Sequence, residues 1–149
     1  MGMYTNLRLK VYVKEQYRNM INQINDGADW SEFVTQFPFL TRYAKLGRAE
    51  FIPRGGSSYM PYQWNDGSKA TEGFDTHIDL GTGYWTFQCS LKDYENEIEC
   101  FFKDVLPVLI TSSEHIESYY EEWDESKFYE LEDGAIKLKS ESFKTYRYN

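Results

Sequence analysis

An alternating pattern near the start of the chain constrains the fold more than any other feature of the sequence. From Leu7 to Lys14 the chain reads LRLKVYVK, in which apolar residues alternate mainly with basic ones over eight positions. Successive side chains of a β-strand point to opposite faces, so a period of two predicts a strand with one buried and one solvated face. The chain is therefore expected to build a sheet that is packed on one side.

Two helical segments are predicted after this strand. Apolar residues recur at spacings of three and four at Tyr17, Met20, Ile21 and Ile24. This stripe predicts a helix from Glu15 to about Asn25, because one face of a helix repeats every 3 to 4 residues. A similar pattern over residues 30–40, with Asp29 or Ser31 as the N-cap, predicts a second, shorter helix.

An extended loop is predicted at about residues 53–70. This segment is rich in glycine, proline, serine and asparagine, which favour turns over long regular elements. It also carries Tyr59, Tyr62 and Trp64. A loop of this length in a compact domain is usually functional or mobile, so its rings are expected to pack against the domain or to contact a partner.

A hairpin and a helix are predicted in the middle of the chain. Residues 74–80 and 84–90, joined by a Gly-Thr-Gly turn, have the pattern of two paired strands. Residues 90–93 resemble a capping box, and an aromatic stripe follows until Pro107 ends or kinks the helix. The acids on the opposite face of this helix are expected to be solvated: Glu95, Glu97, Glu99 and Asp104.

A strand at residues 115–123 and a second hairpin are predicted in the C-terminal part. The hairpin turn is placed at Asp133-Gly134, a dipeptide that favours a two-residue turn. That turn would pair Leu131 with Ile136, Tyr129 with Leu138, and Glu130 with Lys137. The apolar pairs would then share one face of the hairpin, and the charged pair would lie on the other.

The order of these elements predicts the fold class. Helices packed on one face of a mostly antiparallel sheet give an α+β fold of the ferredoxin-like type. A chain of this length buries roughly two-thirds of the surface that it exposes when unfolded. We therefore expect a single domain over residues 1–149.

Charge and composition exclude several classes of protein. Residues 1–60 carry eight Lys/Arg and five Asp/Glu, residues 61–149 carry eight and nineteen, and the net charge is −8. Such an acidic chain is unsuited to binding nucleic acid directly, and no apolar stretch approaches the roughly 20 residues of a membrane span. Two cysteines are too few for a disulfide scaffold, and no signal peptide opens the chain, so a cytoplasmic location is predicted.

One functional hypothesis, an alternative to the binding function described in the next paragraph, is a small hydrolase or metal-dependent enzyme that uses Asp75, His77 or His115. Alternation in a strand would place Asp75, His77 and Asp79 on one face, a possible acid/base or metal cluster. The same pattern is typical of the solvated side of a strand, and a metal site needs at least three ligands. The sequence has two glycine-rich segments, GGSS at residues 55–58 and GTG at residues 81–83, and neither has the spacing of a phosphate-binding loop. The sequence therefore assigns no cofactor, no metal and no catalytic residue.

The leading hypothesis is a small non-enzymatic protein that binds a macromolecule through an acidic, aromatic-rich surface. Nine acids occur between Glu114 and Asp133, interleaved with aromatic residues. The predicted partner-binding residues are Tyr119, Glu121, Glu122, Trp123, Asp124 and Glu125. They suit a protein partner with a basic surface, and an exposed aromatic patch would also suit a homodimer.

Two other interpretations of this acidic run stay open. Acids with aromatic neighbours can imitate the charge and stacking surface of nucleic acid. An inhibitor of a nucleic-acid-binding host defence protein would use such a surface. The run is also typical of a solvated strand face whose charges deter aggregation through the sheet edge.

Residues 75–138 resemble a known family. The segment contains LGTGYW at residues 80–85, then an aromatic strand, an amphipathic helix, SYYEE at residues 118–122 and a hairpin at Asp133-Gly134. This succession is similar to the uncharacterised ferredoxin-like domain of bacteriophage and plasmid proteins, over less than half of the chain. The resemblance implies an α+β fold and a bacterial or mobile-element origin, and it implies no activity and no functional residues.

Overall fold

Six strands and five short helices form the described part of the chain, which in this computed structural model comprises residues 3–56, 73–121 and 126–140. The strands are β1 (Thr5–Val13), β2 (His77–Ile78), β3 (Tyr84–Leu91), β4 (Ile110–Tyr120), β5 (Lys127–Glu132) and β6 (Ala135–Ser140). The helices are α1 (Arg18–Asn25), α2 (Thr41–Ala44), α3 (Phe51–Arg54), α4 (Glu97–Cys100) and α5 (Leu106–Leu109). No helix among these residues is long and apolar enough to cross a membrane.

The strands form one antiparallel sheet in the order β2-β3-β1-β4-β5-β6. Strand β1 lies near its centre, where Leu9 pairs with Phe87 of β3 on one side and with Ile116 of β4 on the other. The helical residues form a single hydrophobic core with the face of the sheet that carries Leu9, Phe87 and Ile116. The α+β class and the antiparallel sheet are therefore confirmed.

The alternation that predicted β1 is confirmed on its apolar side and wrong on part of its polar side. Leu7, Leu9, Val11 and Val13 are fully buried against the helices. Arg8, however, is only 3% exposed, although a solvated position was predicted for it. The ring of Phe74 packs against its guanidinium group, and Glu117 forms an ion pair with it, so this face of the sheet is covered at its centre.

The first predicted helix is confirmed, whereas the second takes a different form. A 3-10 turn at Glu15–Tyr17 leads into α1, whose apolar stripe is buried. Two 3-10 turns, Trp30–Phe33 and Pro38–Leu40, occupy the second region and lead into α2. Asp29 caps the first of these turns as predicted, because its carboxylate accepts a hydrogen bond from the Ser31 amide at 3.0 Å.

Three aromatic rings fill the centre of the core. Trp30 packs edge-on against Tyr43 and Phe101, with ring centroids 5.7 and 5.9 Å away. Both polar atoms of this group are satisfied: the Trp30 indole donates to the carbonyl of Ile52, and the Tyr43 hydroxyl donates to that of Ala49, each at 2.7 Å. Large rings with satisfied polar tips can be buried at little cost.

A helical stretch between β3 and β4 joins α4 to α5 through a π-helical segment at Phe101–Val105. The predicted capping box is wrong, because β3 continues to Leu91 and the Ser90 hydroxyl donates instead to Asn6. Asp93 nevertheless makes a hydrogen bond at the start of the helix, because its carboxylate accepts from the amide of Ile98 at 3.0 Å.

The expectation that Glu97 is solvated is also wrong. This residue is fully buried at the start of α4. Its carboxylate accepts hydrogen bonds from the backbone amides of Arg48 and Glu95, each at 3.0 Å. Amide donors can replace water around a buried carboxylate, so Glu97 fastens the α2–α3 connection to α4.

The predicted register of the C-terminal hairpin is confirmed. Strands β5 and β6 pair Leu131 with Ile136, Tyr129 with Leu138 and Glu130 with Lys137. Asp133 and Gly134 both have positive φ, at 53° and 77°, as a type I′ turn requires.

The other predicted strands are displaced or lie partly outside the described residues. The first hairpin forms, but β2 has only two residues. Strand β4 begins at Ile110 rather than at residue 115 and ends at Tyr120. Residues 57–70 of the predicted loop lie outside the described part of the chain.

Candidate functional site

A groove lies between the helical layer and the last three strands of the sheet. We call it the hairpin groove. It encloses about 670 Å³ and is lined by Met3, Thr5, Asp93, Tyr94, Ile98, Glu99, Phe102, Lys103, Ser118, Tyr120, Tyr129 and Ile136. Pockets of this size accept small ligands or a few side chains of a partner.

The groove exists because the sheet is wider than the helical layer. Strands β5 and β6 extend the sheet beyond β4, and Phe102 reaches over them to contact Tyr129, with ring centroids 4.8 Å apart. Ile136 also packs against the core, whereas Leu138 on the next inward-facing position of β6 is 52% exposed. The apolar face of the hairpin is therefore only partly covered.

Charged and aromatic side chains stand around this apolar floor. Glu99 and Lys103, one helical turn apart, form an exposed ion pair at 3.6 Å. Tyr94 is 54% exposed, and the guanidinium group of Arg48 lies 4.4 Å from its ring centroid. The groove thus combines rings that face solvent with charges of both signs.

Asp93 is the most perturbed carboxyl group in the groove. Burial raises the pKa of Asp93 from its ordinary value of 3.8 to about 6, and the nearby carboxylate of Glu97 adds to the increase. Amide donors from Ile98 and Glu97 oppose this change only in part. The side chain of Asp93 is also hydrogen-bonded to that of Glu97, and no cation among the described residues forms an ion pair with it.

A second polar cluster lies on the face of the sheet opposite the helices. The carboxylate of Glu117, which is fully buried, accepts from Nε of Arg8 at 2.8 Å and contacts Nε2 of His115 at 2.7 Å. The ring of Phe74 lies against all three basic groups nearby: Arg8, Lys10 and His115. We call these five residues the Glu117 cluster.

The Glu117 cluster keeps its acid ionised. Burial alone would raise the pKa of Glu117, but the hydrogen bond to His115 and the charge of Arg8 outweigh it, and the pKa is lowered. A carboxylate cannot donate, so Nε2 of His115 carries the proton in this contact. The cluster therefore holds a buried ion pair with an oriented, partly exposed imidazole ring.

The two histidines of the enzyme hypothesis do not lie next to each other. His77 and His115 lie at opposite ends of a cross-strand row, with Thr86 and Lys10 between them. Three strand spacings separate the two histidines by roughly 14 Å. Asp79 instead accepts from the amides of Gly81 and Thr82 and shapes the turn before β3.

The described residues also contain no group of three side chains that could hold a metal ion. The two cysteines, Cys89 and Cys100, are free and buried.

The predicted partner-binding residues fall partly outside the described chain. Glu122, Trp123, Asp124 and Glu125 lie there. Tyr119 is only 7% exposed, on the sheet face opposite the groove, and so offers little surface to a partner. The carboxylate of Glu121 accepts from the amide of Tyr4 at 2.5 Å and thereby ties β4 to the start of β1.

The sequence did not reveal the hairpin groove. Tyr94, Ile98 and Phe102 belong to the predicted helical stripe, and Tyr129 belongs to the predicted apolar face of the hairpin. The aromatic character of this stripe was the one feature of the sequence that indicated apolar surface beyond what the core buries. That these two apolar surfaces meet is a result of tertiary structure.

Comparison with protein-family models, with curated proteins and with solved structures found no match for this chain. The fold itself defines an α+β protein built on one antiparallel sheet. Function is therefore inferred from the geometry of the two sites.

Proposed function

We propose that this protein acts by binding a protein partner, and that an apolar, basic segment of the partner occupies the hairpin groove. The observation that carries this proposal is the combination, in one open groove, of an aromatic floor with a carboxyl group, Asp93, that forms no ion pair among the described residues. An exposed surface that is both apolar and concave is typical of interaction sites.

The lining has the composition of an interface. Four of its residues, Tyr94, Phe102, Tyr120 and Tyr129, are aromatic. Aromatic side chains are enriched in protein interfaces and contribute much of the binding energy there. In this proposal the aromatic rings of the lining provide the affinity for the partner, and the charge of the protein determines which partner is chosen.

The charge of the chain favours a basic partner. A net charge of −8 attracts positively charged surfaces over a distance of about 10 Å at moderate salt. Glu121, one of the predicted partner-binding residues, directly follows Tyr120, which lines the groove. In this proposal the acidic residues of the predicted partner-binding set, Glu121, Glu122, Asp124 and Glu125, contribute to the attraction of a basic partner.

We further propose that the first four strands have the ferredoxin-like arrangement. The support is the sequence of strand, helices, two strands, helices and strand, combined with the spatial order β2-β3-β1-β4. The hairpin β5–β6 is then an addition at the edge next to β4 and creates the groove. A cytoplasmic setting and a bacterial or mobile-element origin belong to the same proposal.

A displayed library of random peptides tests the proposed function. Selection on the protein should enrich peptides that combine lysine or arginine with apolar residues, and their affinity should fall as salt rises. The variant Tyr94→Ala should weaken binding, whereas the control Leu80→Ala removes a similarly exposed apolar residue (48% exposed) outside the groove. Equal losses in the two variants, or enrichment of acidic peptides, would contradict the proposal.

A further inference from the structure

We propose that the part of the hairpin groove around Asp93 is a subsite for one lysine or arginine side chain of the partner. Asp93 is the counter-ion in this subsite, and the rings of Tyr94, Phe102 and Tyr129 contact the alkyl part of the bound side chain. This inference rests on the proposed function and specifies which feature of the partner the groove recognises.

The first argument is that Asp93 has no positively charged partner within the described part of the chain. Its carboxyl group accepts from the amide of Ile98, and its side chain is hydrogen-bonded to another acid, Glu97, rather than to a cation. A partly buried carboxylate with a like charge beside it is unfavourable unless a cation or a proton neutralises it. A cationic side chain in the groove would supply that neutralisation.

The second argument is that the cations already near the groove are engaged elsewhere. Lys103, the only basic residue among the lining residues that the structure describes, pairs with Glu99. Arg48 lies over the ring of Tyr94, and its backbone amide donates to Glu97. Tyr120 and Tyr129, the titratable residues that line the groove from the strands, carry no positive charge. No described cation is therefore placed to serve Asp93.

The third argument is that the rings suit a cation with an apolar stem. Lysine and arginine place a charged end on an aliphatic chain, which can lie on aromatic surface. Tyr94 already shows this mode of contact, because one face of its ring holds the Arg48 guanidinium group. Phe102 and Tyr129 are in contact with each other and continue the aromatic surface.

Proton binding should be linked to binding of the cationic side chain. Asp93 titrates near pH 6 in the free protein, and only its ionised form attracts a cation. Below pH 6 the protonated form predominates and the bound cation must displace a proton. The affinity is therefore expected to fall about tenfold between pH 7 and pH 5, following the ionised fraction of Asp93.

Nuclear magnetic resonance titration with two capped dipeptides tests the subsite. N-acetyl-Phe-Lys amide is compared with N-acetyl-Phe-norleucine amide, which has the same stem without the charge. We expect the lysine peptide to shift the amide signals of Tyr94, Ile98 and Phe102 and to bind about tenfold more tightly than the norleucine peptide at pH 7. The preference should shrink at pH 5.

Two variants with the same change of charge separate Asp93 from general electrostatics. Asp93→Asn keeps an oxygen that can accept from Ile98 and should abolish the preference for lysine. Glu99→Gln, in the same groove, should change the preference for the lysine peptide less than twofold. Equal effects of the two variants would overturn the subsite, as would equal binding of the two peptides.

The outcomes also distinguish this inference from the proposed function. If both peptides shift the groove signals equally, the groove binds apolar segments and the cation subsite is wrong. If neither peptide shifts these signals, while circular dichroism shows a folded protein, the groove is not a binding site and both proposals are wrong.

Discussion

Glu117 and His115 are joined by a contact of 2.7 Å between a fully buried carboxylate and a partly exposed imidazole ring. Two residues apart on β4, they lie on the same face of the sheet, and the same carboxylate oxygen also accepts from Arg8 on β1. The ion pair between Arg8 and Glu117 therefore links the two longest strands at a point where both of its side chains are buried.

Neutralising Glu117 should destabilise the fold strongly. Glu117→Gln removes the charge that Glu117 places against the buried guanidinium group of Arg8, and breaking a buried ion pair typically costs about 3 kcal/mol or more. Urea unfolding at pH 7 measures the loss. The matched control is Glu132→Gln, which breaks an exposed ion pair with Lys137 and should cost less than about 1 kcal/mol. Similar losses in the two variants would contradict this role of Glu117.

The same carboxylate should make the protein sensitive to acid. The pKa of Glu117 is lower in the folded state than its ordinary value of 4.5, so its contribution to stability is complete above that pH. The contribution is lost as the pH falls through the folded-state pKa. We expect the difference in unfolding free energy between the wild type and Glu117→Gln to narrow progressively below pH 4.5. A difference that stays constant to low pH would refute this linkage.

Asp93 should show the opposite dependence on pH. Its pKa in the folded protein, about 6, lies above its ordinary value of 3.8, so the ionised form destabilises the fold above pH 6. Asp93→Asn should therefore stabilise the unliganded protein at pH 7, by roughly 1 kcal/mol after allowance for solvent screening. The gain should vanish near pH 3, below both pKa values, where the wild-type residue is mostly protonated in the folded and in the unfolded state. Thermal unfolding at the two pH values makes the comparison.

The turn of the C-terminal hairpin offers a test of backbone strain alone. Gly134 has a φ of 77°, and a Cβ atom added there would meet no other atom within 4 Å. Gly134→Ala should cost about 1 kcal/mol because L-residues avoid this conformation. Gly56 also has free space around it but no positive φ, so Gly56→Ala is expected to change the free energy of unfolding by less than about 0.5 kcal/mol.

Local patterns in the sequence predicted the elements whose structure is decided locally. Alternation placed β1, and the dipeptide Asp133-Gly134 determined the register of a whole hairpin, because a two-residue turn leaves only one way to pair its strands. In both cases the residues that carry the information are neighbours in the chain.

Burial of charged residues was not predictable in the same way. Arg8 and Glu97 occupy positions whose local pattern indicates solvent, yet both are buried. Glu97 has a local partner, the amide of Glu95, but Glu117 and the Arg48 amide lie far away in the sequence from the acid or base that they contact, so no local pattern reveals them. The hairpin groove has the same origin, since it depends on how far the helices extend over a sheet whose width the sequence does not state.

The central place of β1 has a consequence for how the protein comes to be folded. Thr5 at its start pairs with Tyr120 at the end of β4, so more than a hundred residues must be synthesised after Thr5 before the second neighbouring strand of β1 is complete. Strand pairings so distant along the chain form slowly, and exposed strand edges invite aggregation in the meantime. Newly made chains are therefore expected to depend on assistance or on low concentration until synthesis passes β4.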